Sequence, residues 1–86
     1  MEIATVRQTC GACPSQWEGK LTDGRMFYVR YRWGYLSVCV SDGPTDNVDD
    51  AVGGEEIVGV QMGGGYDGVC EWSDVAEHWP AARKEA

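Results

Sequence analysis

Two groups of side chains in this chain of 86 residues have types and spacings suited to chemistry. The first is Cys10-Gly11-Ala12-Cys13, where the C-x2-C spacing lets two thiolates reach one tetrahedral ion. A full site needs more ligands, and Cys39, Cys70 and the single histidine, His78, are the candidates. Cys70 is the best third ligand, because the segment before a C-terminal helix can pack against the first hairpin. Cys10, Cys13 and Cys70 are therefore the candidate zinc ligands. Two other readings stay open: a structural disulfide, and reduced cysteines acting as small hydrophobes in an intracellular protein. A redox CxxC fits poorly. Such motifs follow a strand and open a helix, whereas Pro14 and the following Gln16-Trp17-Glu18-Gly19 read as turn and strand.

The second group is Tyr28, Arg30, Arg32 and Tyr35. These are planar, hydrogen-bonding residue types that are enriched at binding hot spots. Arginine also holds a carboxylate or phosphate with two parallel bonds and stacks on tyrosine rings. No comparable catalytic set exists. His78 has no evident serine or aspartate companion and reads as a packing residue beside Trp79. Paired acids occur only in a turn-rich segment that would not fix their geometry. Gly63-Gly64-Gly65 lacks the Lys and Ser/Thr of a phosphate-binding loop, and Asp46, Asp49 and Asp50 miss the EF-hand offsets. We therefore assign no catalytic residue.

The elements that must position these groups centre on Gln16 to Val40, which reads as three antiparallel strands. The second strand, Ser15 to Leu21, meets the third through Thr22-Asp23-Gly24, with Gly24 in the left-handed position of a three-residue loop. That loop pairs Leu21 with Arg25, Gly19 with Phe27 and Trp17 with Val29. A two-residue connection at Trp33-Gly34 pairs Arg32 with Tyr35, Tyr31 with Leu36, Val29 with Val38 and Phe27 with Val40. Both registers agree. They place Trp17, Leu21, Phe27, Val29, Tyr31, Leu36, Val38 and Val40 on one face, as period-two alternation requires. The other face carries Gln16, Glu18, Lys20, Met26, Tyr28, Arg30, Arg32, Tyr35, Ser37 and Cys39. A primed turn would force Trp33 to positive φ, which is costly for a bulky residue, so a type II turn or a four-residue loop is expected there.

Outside this run, residues 2–9 form a first strand and Ile57 to Met62 a last one, with Gly59 allowing close approach of a neighbour. Ser41 to Glu56 holds six acids and no cation, and reads as a flexible loop. Ser73 caps a short helix in which Val75 and Trp79 face the sheet, and residues 80–86 form a tail after Pro80. The fold class is α+β and mostly β: a single domain over 1–86, with an antiparallel meander of four to five strands and one short C-terminal helix.

A formal charge of −7 disfavours long nucleic acids, whose binding rests on clustered cations. Five of the seven Lys and Arg residues nonetheless lie between Arg7 and Arg32. The Tyr/Arg face has a bland explanation too. Glu18 sits diagonally to Arg30, and the acidic segment can fold back onto the arginines, so the face need only solvate the sheet. No signal peptide or spanning apolar run is evident, and the chain reads as cytoplasmic with no membrane partner.

The stretch QWEGKLTDGRMFYVRYRWGYLSV, followed later by EWSDVAEHW, resembles small uncharacterised proteins of actinobacteria and their phages. The resemblance covers about half the chain. It implies a phage-type accessory protein in the host cytoplasm, of a class that often binds and inhibits or sequesters something. The expected function is accordingly non-enzymatic binding of a host protein. The alternatives are a binder of a small phosphorylated ligand, working as a homo-oligomer, and a zinc-stabilised structural domain.

Overall fold

The computed structural model describes residues 2–11, 15–63 and 70–79. Five strands follow one another in antiparallel order: β1 (Ile3–Gly11), β2 (Ser15–Leu21), β3 (Arg25–Arg32), β4 (Tyr35–Pro44) and β5 (Glu55–Gln61). Two short helices, α1 (Asp49–Val52) and α2 (Trp72–Glu77), accompany them. The mostly-β α+β class expected from the sequence is the class observed.

Strict alternation builds the central strands. Trp17, Leu21, Phe27, Val29, Tyr31, Leu36, Val38 and Val40 are all buried on one face, the eight residues that the two hairpin registers assign there. The pairings Trp17 with Val29, Gly19 with Phe27, Phe27 with Val40, Val29 with Val38 and Tyr31 with Leu36 are those expected. Gly24 takes φ 94° in the β2–β3 loop, and its N–H donates to Leu21 O at 3.0 Å. α2 and the residues just after it close this face through Val75 and Trp79, both buried. The Trp79 ring meets Phe27 edge-on at 5.0 Å, while Trp72 lies between Trp17 and Trp79 at 5.8 and 6.0 Å. Aromatic pairs in this range add to the area they bury.

Three expectations are corrected. Trp33 does adopt positive φ, 56°, with Gly34 at 76°. The primed turn prevails because its twist matches that of the flanking strands, whereas an ordinary turn would splay them. Neighbouring groups hold it: Gln61 Nε2 donates to Trp33 O at 2.9 Å, and the N–H groups of Met62 and Gly63 donate to Gly34 O at 2.7 and 3.1 Å.

Ser41 to Glu56 is not one loop. β4 continues to Pro44, α1 follows, and β5 begins at Glu55. The turn-forming residues create local order here. Thr45 Oγ1 accepts the Asn47 N–H, Asn47 Oδ1 accepts the Asp49 N–H, and Ala51 is fully buried. Ser41, also buried, accepts the Met26 N–H where the β3–β4 register shifts and donates to Gly43 O.

The helix also starts earlier than a Ser73 cap would place it. Trp72 is its first residue, and the Asp74 carboxylate accepts the Glu71 N–H at 2.9 Å. Pro80 and the tail over 80–86 lie outside the described residues.

Candidate functional site

The face of the sheet opposite the core is set by the same registers. Arg30 pairs with Gln16 and Ser37, Tyr28 with Glu18 and Cys39, and Arg32 with Tyr35. β5 extends this face, with Gln61 opposite Tyr35 and Gly59 opposite Ser37. Tyr28, Arg30, Arg32 and Tyr35 thus line one concavity of roughly 470 Å³, together with Trp33, Ser37, Cys39, Val52, Glu56 and Gln61.

Its acidic wall is internally satisfied. Glu56 accepts hydrogen bonds from Tyr35 Oη at 2.8 Å and from Ser37 Oγ at 2.8 Å. The bond to Glu56 raises the Tyr35 phenol above its ordinary pKa, since the ionised form would forfeit that bond beside a carboxylate. Gly59 makes the arrangement sterically possible: a Cβ there would lie 2.1 Å from Tyr35 Oη. Tyr28 is half-buried, and its hydroxyl accepts a 2.7 Å bond from Gln16 Nε2. Burial pushes its phenol up, and the nearby Arg30 opposes that shift.

The cations divide into two sets. Arg7 pairs with Glu18 at 2.9 Å, Lys20 with Asp46, and Arg25 with Asp23 at 2.8 Å. Among the described residues, Arg30 and Arg32 have no carboxylate partner. The two neutralising contacts that would make the face bland are therefore absent. Glu18 turns to Arg7 on β1, and the acidic segment folds back onto Lys20, Tyr35 and Ser37 instead of the arginines. Arg32 lies over the Trp33 ring, 4.3 Å from its centroid, which leaves guanidinium edges for a ligand.

Exposed apolar groups gather at the same place. Trp33, Val52 and Tyr35, exposed by 61, 51 and 39%, form three of the four large exposed hydrophobics among the described residues. Sequence reasoning placed the Tyr/Arg cluster but passed over Trp33, Val52, Glu56 and Gln61. A tryptophan at a hairpin tip beside an arginine was a usable signal. Glu56 and Val52 were not legible, because they arrive through α1 and the bulged β4–β5 pairing.

The cysteines are arranged differently. Cys10 pairs with Gln16 and so belongs to the Tyr28 face, where it influences the Tyr28 phenol. Cys70 packs against the core on the opposite face. Its N–H donates to Ser15 Oγ at 3.3 Å, so the segment before α2 does reach the first hairpin, at the start of β2. Cys13, the third candidate ligand, lies outside the described residues. No group of three His, Cys, Asp or Glu placed to hold a metal ion occurs among the described residues. His78 is half-buried and its Nδ1 lies 3.1 Å from Asp74 O, a contact within its own helix. No helix among the described residues is long and apolar enough to cross a membrane. Comparisons with protein-family models, curated proteins and solved structures find no match to this chain.

Proposed function

We propose that the chain is a non-enzymatic binding protein that engages an acidic surface of another protein through the β3–β4 concavity. The observation that carries this reading is the pair Arg30 and Arg32, without a carboxylate partner among the described residues in a chain of charge −7. Surplus acids elsewhere would be expected to neutralise them if the face only solvated the sheet. Around them stand Trp33, Tyr28 and Tyr35, the side chains that most often dominate binding energies. The sequence resemblance to phage-type accessory proteins supports a host protein as the partner and modulation of it as the outcome.

Replacing both Arg30 and Arg32 by Ala tests the reading. The variant should fold with an unchanged thermal midpoint and lose whichever host protein the unaltered chain captures. An unfolded variant would instead make the arginines structural, and equal capture by both chains would remove the face from the argument. A small anionic ligand is the second reading. The concavity's volume of about 470 Å³ falls in the range of small-molecule sites.

A further inference from the structure

We propose that Trp33 is the anchor of this surface: its indole enters an apolar pocket on the acidic partner while Arg30 and Arg32 meet carboxylates at that pocket's rim. The proposal rests on the binding reading above and adds to it a residue and a partner chemistry.

Folding alone does not account for a tryptophan at this position. At φ 56° the left-handed region crowds any Cβ, and a bulky residue there is an outlier where Asn or Gly would be favoured. Burial gives no compensation, since the residue is 61% exposed. Its ring contact among the described residues is the Arg32 guanidinium at 4.3 Å. Strained positions of this kind gather at binding sites, where the surrounding structure over-determines them. Gln61 and the N–H groups of Met62 and Gly63 supply that support by fixing the carbonyls of Trp33 and Gly34. The backbone that carries the indole is therefore fixed before any partner arrives, and the Arg32 contact restricts the ring, which lowers the ordering cost of association.

The partner's chemistry follows from what surrounds the indole. Val52 and Tyr35 extend the apolar area, and Arg30 and Arg32 supply positive charge. The chain as a whole is acidic, and the other described cations, Arg7, Lys20 and Arg25, are each paired with an acid, so attraction for an acidic body is strongest at this spot. The fitting occupant is an aromatic or aliphatic pocket edged by Asp or Glu.

Trp33→Asn in the full chain provides the test, read against a glutamate-rich copolymer of glutamate and tyrosine as the acidic probe. Binding of every variant is followed by fluorescence anisotropy of a dye-labelled copolymer, and acrylamide quenching of the wild type reports on the Trp33 indole itself. The wild type should bind the copolymer and lose quenching. Trp33→Asn should bind at least about tenfold more weakly, yet melt roughly 4 °C higher because the turn is relieved. Trp33→Phe should recover most of the binding. Full binding by Trp33→Asn, with loss in Arg30→Ala, would overturn the anchor and leave the binding reading standing. A lower midpoint for Trp33→Asn would also overturn it, by making the indole structural. Failure of the wild type to bind the copolymer would overturn the acidic partner in both readings. Self-association of the wild type that Trp33→Asn abolishes would assign the surface to a second copy instead, and would overturn the proposal as well.

Discussion

The Tyr35 phenol reaches across Gly59 to donate a 2.8 Å hydrogen bond to Glu56, so a residue with no side chain shapes one wall of the concavity. Gly59→Ala should part the pair, because the new Cβ would fall 2.1 Å from Tyr35 Oη and 2.4 Å from Glu56 Oε2. Both clashing atoms end flexible side chains, so the strand itself need not move. The thermal midpoint should change little while the Tyr35 phenol returns toward an ordinary value near 10. The sign of the pH effect follows. Tyr35's folded value lies above its unfolded one, so its contribution to stability is complete below the unfolded value and fades as pH rises through the folded one. Phenolate absorbance titration of the two chains checks this. Identical alkaline titrations would show that the bond does not set the phenol's acidity.

Gly19 presents the opposite case. A Cβ there would sit 2.0 Å from the Thr5 carbonyl oxygen on β1 and 2.8 Å from the Phe27 ring. One obstacle is backbone and the other is a fully buried core residue. Gly19→Ala should therefore destabilise by about 3 kcal/mol or more, at the upper end of overpacking costs. Urea denaturation gives the comparison with Gly59→Ala. Similar midpoints for the two variants would mean that β1 shifts to accommodate the methyl group at little cost.

The contrast between these glycines marks what the sequence could reveal. Strands β2 to β4 were legible because short loops fix their registers and alternation of Trp17, Phe27, Val29 and Leu36 confirms them independently. That was enough to place Tyr28, Arg30, Arg32 and Tyr35 on one face. The ion pairing was not legible. Glu18's choice of Arg7 over Arg30 depends on the β1 register, which shifts at two places. The Trp33 turn misled for a related reason. A single residue's steric preference was set against strand twist, and the two whole strands outweighed it. In 41–56, Thr45 and Asn47 read as loop formers, yet their local hydrogen bonds order a helical turn that buries Ala51.

Trp79, just past the end of α2, helps Val75 hold the helix to the sheet. It is buried, meets Phe27 edge-on and lies 6.0 Å from Trp72. Trp79→Ala should cost about 3–5 kcal/mol, the range for deleting a large buried aromatic. Total stability for a domain of this length is only about 5–10 kcal/mol. Calorimetry should therefore show a much lowered midpoint, or no cooperative transition at all. A loss below about 1 kcal/mol would place the helix outside the cooperative unit.

Ser15 joins three parts of the structure through one buried hydroxyl. Its Oγ donates to Gly11 O at 2.9 Å, at the end of β1, and accepts the Cys70 N–H just before α2. Ser15→Ala keeps the volume nearly unchanged but removes both interactions. Buried polar groups that lose a hydrogen-bond partner cost about 1–3 kcal/mol. The effect should appear first in the packing of the segment before α2. Trp72 lies 5.8 Å from Trp17 in the same region, so near-ultraviolet circular dichroism should weaken before the sheet melts. Ser15→Thr retains the hydroxyl while adding a methyl group, and separates the two effects. If Ser15→Ala keeps the wild-type aromatic signal and midpoint, then the aromatic packing of α2 positions the helix segment without the serine. Should the signal fall while the midpoint of the β-sheet holds, the hydroxyl is the tie that seats the helix on an otherwise independent sheet.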